Sequence, residues 1–352
     1  MKINTPKFVD VALIARGLAA VNVIIWHLWG TDTTTNDFYY PTIISGRVSV
    51  WVFFALSGYL IAFGFYSGKY HLKWKSILRF YKNRLLRIYP IFFVVSVISI
   101  VWGVISIDSI NWKFIAQDIF MLQWNHDYTL NGVFWTLGVE TQFYIFAPLI
   151  YFFQEKILGR FRYLHVPIII GLYYLSVKLG LIGHFDMRNF LGNYLIFAFG
   201  FTVAGYKDSL GVTQTKLKVY MLTFLAVVLV ILINSAYFNG TFWSLQYMVF
   251  SGLFASLILI IHRLIENCKI PTGMITNFLM RLGVLSYGLY AWHGFLIKIN
   301  FAMNSLVLGI TFSLLLSYLT YLLIEKPFLA LKAEKRNYGQ GRKKSSASPV
   351  AP

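Results

Sequence analysis

Acidic residues are scarce in this sequence, with thirteen Asp and Glu against 31 Lys and Arg in 352 residues. Charged residues of both signs make up only 12% of the chain, about half the share found in an ordinary soluble domain. That shortage excludes a large water-facing surface. Cysteine is limited to Cys268, so no intramolecular disulfide can form. No Cys/His cluster has metal-ligand spacing, and no metal is expected. The first apolar run has no long basic leader and no small-residue cleavage pattern behind it, and it reads as a retained helix, not a signal peptide. No internal repeat is visible, which argues against the inverted-repeat transporter architectures.

What fills the chain instead is apolar: 58% of residues are hydrophobic and 18% aromatic. Runs of about 20 apolar residues, the length that crosses a hydrocarbon core, follow one another from residue 10 to about 330. The reading is an all-α, polytopic membrane protein with about ten transmembrane helices: 10–29, 43–66, 88–106, 132–153, 163–183, 189–206, 218–234, 243–264, 278–298 and 304–326. Residues 1–330 form one membrane domain, and 331–352 a basic, low-complexity tail. The longest outer segment, 107–131, has room for a short surface helix through Trp112, Ile115 and Ile119. If both termini are cytoplasmic, 25 of the 31 Lys and Arg fall in or beside cytoplasmic segments. The net charge of +18 therefore orients the chain in a bilayer, and no nucleic-acid partner is expected.

Two charges lie deep in these spans, Arg16 and Glu140. A charge at the bilayer centre costs at least about 2.5–3.5 kcal/mol, so such residues usually face the bundle interior and mark a site. The structural alternative is an ion pair that stitches helices together. Arg16 and His27 are eleven residues apart, about 1100° of helix and some 20° past three turns, so they share a face. They stand about 16 Å apart along the axis. The small residues Ala20 and Val23 lie between them on that face, as the wall of a slim channel.

Further along, Arg84 and Arg87 in "YKNRLLRIYP" fall three apart just before the third span, on one helical face. Their forked guanidiniums suit phosphate, while an anionic-lipid anchor is the plainer reading. Glu140 is accompanied by Trp135, Gln142 and Tyr144 in "VFWTLGVETQFY". Ser286, Tyr287, Tyr290 and His293 recur in "LSYGLYAWHGFL". The topology puts Glu140, His27 and His293 in the outer half, where a carboxylate would fix an imidazole's tautomer. Ser57-Gly58 reads as a close helix crossing.

Taken in order, Arg16-x10-His27, "FFALSGYLI" at 53–61, "RLLRIYP" at 84–90, "WTLGVETQFY" at 135–144, "LSYGLYAWH" at 285–293 and "IEKPF" at 324–328 resemble the motifs of the membrane-bound acyltransferase-3 family. The family commonly places an aspartate three residues before the motif arginine. Here Asp10 precedes Arg16 by six.

The resemblance implies a ten-helix O-acyltransferase of the bacterial inner membrane. It moves an acetyl group from cytoplasmic acetyl-CoA to a hydroxyl of a cell-surface glycan, such as lipopolysaccharide O-antigen or exopolysaccharide, or of a lipid-linked glycan. Some members carry a further extracytoplasmic domain, and this chain is expected to complete transfer within the membrane domain or with a partner. In this scheme Arg84 and Arg87 hold the CoA phosphates, and the pantetheine arm passes Arg16. His27, oriented by Glu140, acts as general base or transient acyl carrier. Trp135, Tyr144, Tyr287, Tyr290 and His293 line the acceptor side. Two other classes stay open: a proton-coupled transporter using Arg16, His27 and Glu140 as a relay, and a non-catalytic scaffold of a glycan-assembly complex.

Overall fold

The computed structural model describes residue 3 and residues 5–29, 45–106, 112–121, 131–179, 190–206, 245–299 and 305–332. Among the described residues every regular element is helical, apart from an isolated antiparallel bridge between Phe8 and Pro271. In chain order the helices are α1 (Val11–Trp29), α2 (Gly46–Tyr66), α3 (Trp74–Ser106), the short α4 (Trp112–Ile119), α5 (Trp135–Phe152) and α6 (His165–Lys178). They continue with α7 (Phe190–Gly205), α8 (Leu245–Cys268), α9 (Met274–Lys298), α10 (Leu306–Thr320) and α11 (Lys326–Ala330). Each expected span except 218–234 corresponds to a helix. That span and the tail from 333 onward lie outside the described residues.

Among the described residues six helical stretches are long and apolar enough to cross a bilayer: Val11–Leu28, Gly46–Tyr66, Trp74–Ile105, Gly132–Ser176, Met248–Cys268 and Leu306–Ala330. The chain is therefore a multi-pass membrane protein. α9 is not among the six, because Asn277, Arg281, Ser286, His293 and Lys298 punctuate its 25 residues.

The expected start of the third span at residue 88 is corrected. α3 begins at Trp74 and runs 33 residues without a break. At 1.5 Å per residue it is about 50 Å long, well over a hydrocarbon core of about 30 Å. Arg84 and Arg87 thus belong to the helix and not to a loop in front of it.

Without a hydrophobic drive between helices in lipid, close approach depends on small residues. α1 and α9 run parallel and touch at Gly17 and Gly283. A Cβ on Gly283 would lie 1.9 Å from the Leu13 carbonyl oxygen, and one on Gly17 would lie 2.7 Å from the Gly283 nitrogen. α2 and α7 meet the same way, with a Cβ on Gly200 falling 1.9 Å from the Ala55 oxygen and one on Gly58 2.3 Å from that of Phe197. Gly58 is thus the close crossing read from Ser57-Gly58. Asn131 pins the start of α5 to α9, its side-chain amide donating to the Ala291 carbonyl at 3.0 Å.

Candidate active site

The parallel packing of α1 and α9 sets His27 beside His293, with ring centroids 5.3 Å apart and planes tilted by 34°. In each helix the histidine Nδ1 faces the carbonyl four residues back, Val23 at 3.0 Å and Leu289 at 3.2 Å. A carbonyl only accepts, so this network assigns the proton to Nδ1 and leaves a lone pair on each Nε2. His293 is 1% exposed, and its Nε2 is buried without a partner. Tyr290 stands edge-on to it at 5.2 Å.

Glu140 lies elsewhere. The Ser57 and Tyr144 hydroxyls both donate to its Oε1. It lines a cavity of about 60 Å³ between α1, α2, α5 and α9 together with Arg16, Ser57, Thr136, Ser286 and Tyr290. The walls are otherwise apolar, from Val50, Phe53, Phe54 and Leu137. Arg16 forms no hydrogen bond or ion pair among the described residues; the charges acting on it are those of Arg87, Glu140 and Glu325. Ser286 Oγ is buried and unpartnered.

The expectation that Glu140 orients His27 is therefore corrected. Glu140 is held by two hydroxyls in the Arg16 cavity, and the neighbour of His27 is His293. The channel along Ala20 and Val23 is corrected as well. Both residues are fully buried; Ala20 packs with Ile24, Leu285, Leu289 and Tyr321. The open space lies on the α2 and α5 side of Arg16. Tyr290 joins the two centres, since it lines the cavity and abuts His293. Its hydroxyl pairs with that of Thr136 at 3.1 Å.

The paired arginines on α3 part company. Arg87 forms an ion pair with Glu325, a carboxylate only 2% exposed. Glu325 sits in the π-helical turn Tyr321–Glu325 that joins α10 to α11. Such turns re-aim a side chain within a helix and often occur at functional sites. Among the described residues Arg84 has no acidic partner: its guanidinium lies 5.6 Å from the ring centroids of both Phe80 and Tyr144, and its Nε is buried without a hydrogen bond.

Of the aromatic residues expected to receive an acceptor, Tyr287 and Tyr290 line the Arg16 cavity, and several also brace the bundle. Tyr287 donates to the Ile88 carbonyl at 2.5 Å, tying α9 to α3. Tyr144 holds Glu140, and Trp135 packs edge-on to Phe54 with centroids 6.3 Å apart. Asp10 caps α1 through the Leu13 amide at 2.9 Å and faces His262, a structural role.

Two participants were missed in the sequence. Ser57 was masked by Gly58, and Glu325 by its place at a span end. The signal for Ser57 is a hydroxyl in an otherwise apolar helix. For Glu325 it is a second acid close to a span, as scarce there as Glu140. Among the described residues no group of three His, Cys, Asp or Glu could hold a metal.

The arrangement offers a lone guanidinium, a hydroxyl-bound carboxylate, apolar walls and, one step further, two imidazoles with free Nε2 lone pairs. It can grip a narrow polar chain and deprotonate a hydroxyl.

Comparison with known proteins gives the family context. The acyltransferase domain family matches residues 11–324. ORF330 of Acidianus two-tailed virus, whose name assigns it as an acetyltransferase, is 22% identical over 286 residues, covering 79% of this chain and 80% of that protein. The O-acetyltransferase OatA of Staphylococcus aureus is 25% identical over 182 residues, which is 46% of this chain and 27% of OatA. The match thus spans about a quarter of OatA. No solved structure matches the chain.

Proposed function

Because the chain belongs to the acyltransferase domain family, matched from residue 11 to residue 324, we propose that it transfers an acetyl group from acetyl-CoA to a hydroxyl of a cell-surface glycan. The observation that carries this reading is the polar line through the apolar bundle: Arg84, then the Arg16 and Glu140 cavity, then Tyr290, then the His293 and His27 pair. The names of the relatives add the class of group transferred. The excess of Lys and Arg at one end supports a reading in which that end, with both termini, faces the cytoplasm of a bacterial inner membrane.

In this scheme the donor's phosphates stay near Arg84 and Arg87, and its arm enters the cavity. Arg16 donates to an amide carbonyl of the arm and Ser286 to another polar atom. Glu140, fixed by Ser57 and Tyr144, balances the charge of Arg16. The thioester arrives beside the imidazole pair, where an acceptor hydroxyl enters from the opposite side. Nε2 of His27 takes the hydroxyl proton as the oxygen attacks the thioester carbonyl. The carbon–sulfur bond then breaks, the ester forms, and the thiolate leaves with the proton from His27. Arg16, about 16 Å down the helix, is too far to bind the same carbonyl and acts as a grip.

The test compares envelope glycans by mass spectrometry from cells with and without the protein. The reading expects acetyl groups on one glycan that vanish with the protein and do not return when His27→Ala is supplied. An unchanged glycan profile would overturn it.

A further inference from the structure

Sequence motifs pair Arg84 with Arg87, yet the structure gives the two guanidiniums different surroundings. The charge of Arg87 is already answered by Glu325. Among the described residues Arg84 lies against the rings of Phe80 and Tyr144 and keeps a buried, unsatisfied Nε. More cations converge on the same end. From the Arg87 and Glu325 pair, Arg84 lies one turn back along α3. Lys332 stands two residues beyond the end of α11, outside the helix, and the charges acting on it are those of Arg87, Arg84, Glu325 and Lys69. α11 packs on α3. The loop ahead of α3 is fastened to it, because Arg79 donates to the Lys69 carbonyl at 2.8 Å and Asn83 to the Tyr70 hydroxyl at 3.1 Å. Lys69 thereby stands at the same end, its Nζ 5.5 Å from the Tyr70 ring centroid.

Among the described residues Arg87 and Lys332 have Glu325 as an acidic neighbour, with Arg84 and Lys69 as further cations acting on Lys332. Lys332 has no ion pair among the described residues. Cations in such excess, with Arg84 and Lys332 half-buried and Lys69 exposed, repel one another when the site is empty and are drawn to an anion with several charges.

We propose that Lys332 and Lys69 join Arg84 in a phosphate receptor that seats the nucleotide part of the acyl donor. This assignment rests on the acyl-CoA reading and adds to it residues that the arginine motif does not contain. Independent support comes from the Lys332 ammonium: burial, and then the fields of Arg87 and Arg84, push it down to about 7. That is the behaviour of a cation lacking a counterion.

The chemistry recognised is a cluster of phosphate oxygens, which lipid headgroups also carry, so the experiment separates the two. The whole chain is placed in zwitterionic nanodiscs, and binding of CoA and of phosphate-free pantetheine is measured for the unaltered protein and for Lys69→Gln/Lys332→Gln. The expected result is CoA binding weakened by at least about tenfold, with pantetheine binding changed by less than about twofold. Equal CoA affinity in the two proteins would overturn the proposal, as would parallel loss of both ligands. In a second arm with phosphatidylglycerol added to the nanodiscs, a variant that binds CoA normally but no longer retains that lipid would overturn it in favour of a lipid anchor. If the unaltered protein binds no CoA, the donor reading itself fails.

Discussion

His27 and His293 lie on parallel helices with ring centroids 5.3 Å apart, each with Nδ1 turned to its own helix backbone. The two Nε2 atoms are thereby left as the proton acceptors of the pair. His27 is the more accessible ring and His293 the buried one. We therefore expect unequal losses on substitution. His27→Ala should lower kcat by about 10²–10⁴-fold, the range of a general base. His293→Ala should cost less, roughly 10- to 100-fold, and should shift the pH profile of kcat, because the neighbour that tunes His27 is gone. Steady-state rates from pH 5.5 to 9 check this; an unmoved profile would make His293 merely structural.

Glu140 accepts two hydroxyl hydrogen bonds inside the membrane. Glu140→Ala strands Ser57 and Tyr144 and is expected to cost about 3–6 kcal/mol of stability, counting two bonds to a charged acceptor. Glu140→Gln keeps an acceptor oxygen and should fold, but it removes the charge facing Arg16. Its kinetic signature should be a raised KM for the donor with a smaller change in kcat, because Arg16 grips and does not react. Thermal unfolding in detergent and initial rates distinguish the two variants.

The ion pair of Arg87 and Glu325 joins α3 to the turn after α10. Losing one partner leaves a buried charge and should cost about 3–5 kcal/mol, whereas replacing both by glutamine should recover most of that loss. Melting temperatures of Arg87→Gln, Glu325→Gln and the double variant form the required cycle. Additive losses would show that the residues do not act as a pair.

Lys332 provides a pH test. Its free-state value of about 7 means that above neutrality the ammonium is mostly deprotonated and must take up a proton to meet phosphate. CoA affinity should therefore fall as pH rises from 7 to 9, and Lys332→Gln should flatten that slope. Calorimetry in buffers of different ionisation enthalpy should detect proton uptake in the unaltered protein only.

Much of the architecture was legible because membrane helices declare themselves by length and apolarity. Arg16 and Glu140 stood out for the same reason, as charges where charge is costly. Their partners were harder to read. Periodicity aligned His27 with Arg16 on one helix, but it cannot say which other helix lies against that face. The Gly17 and Gly283 contact decides this, and it brings His293, not Glu140, to His27. The small residues Ala20 and Val23 suggested a channel, yet small side chains also permit tight packing, and here they are buried. The start of α3 was misplaced because its first turns are basic and half-exposed, and a hydropathy pattern begins only where the apolar run does.

The central claim is that acetyl moves from CoA to a hydroxyl through the histidine pair. Purified protein in proteoliposomes, given acetyl-labelled CoA on the face bearing Lys69 and Lys332 and a soluble glycan on the opposite face, tests it most directly. The account predicts labelled ester on the glycan with the unaltered protein and none above background with His27→Ala, although that variant still binds CoA. Equal label on the glycan from both proteins would contradict it.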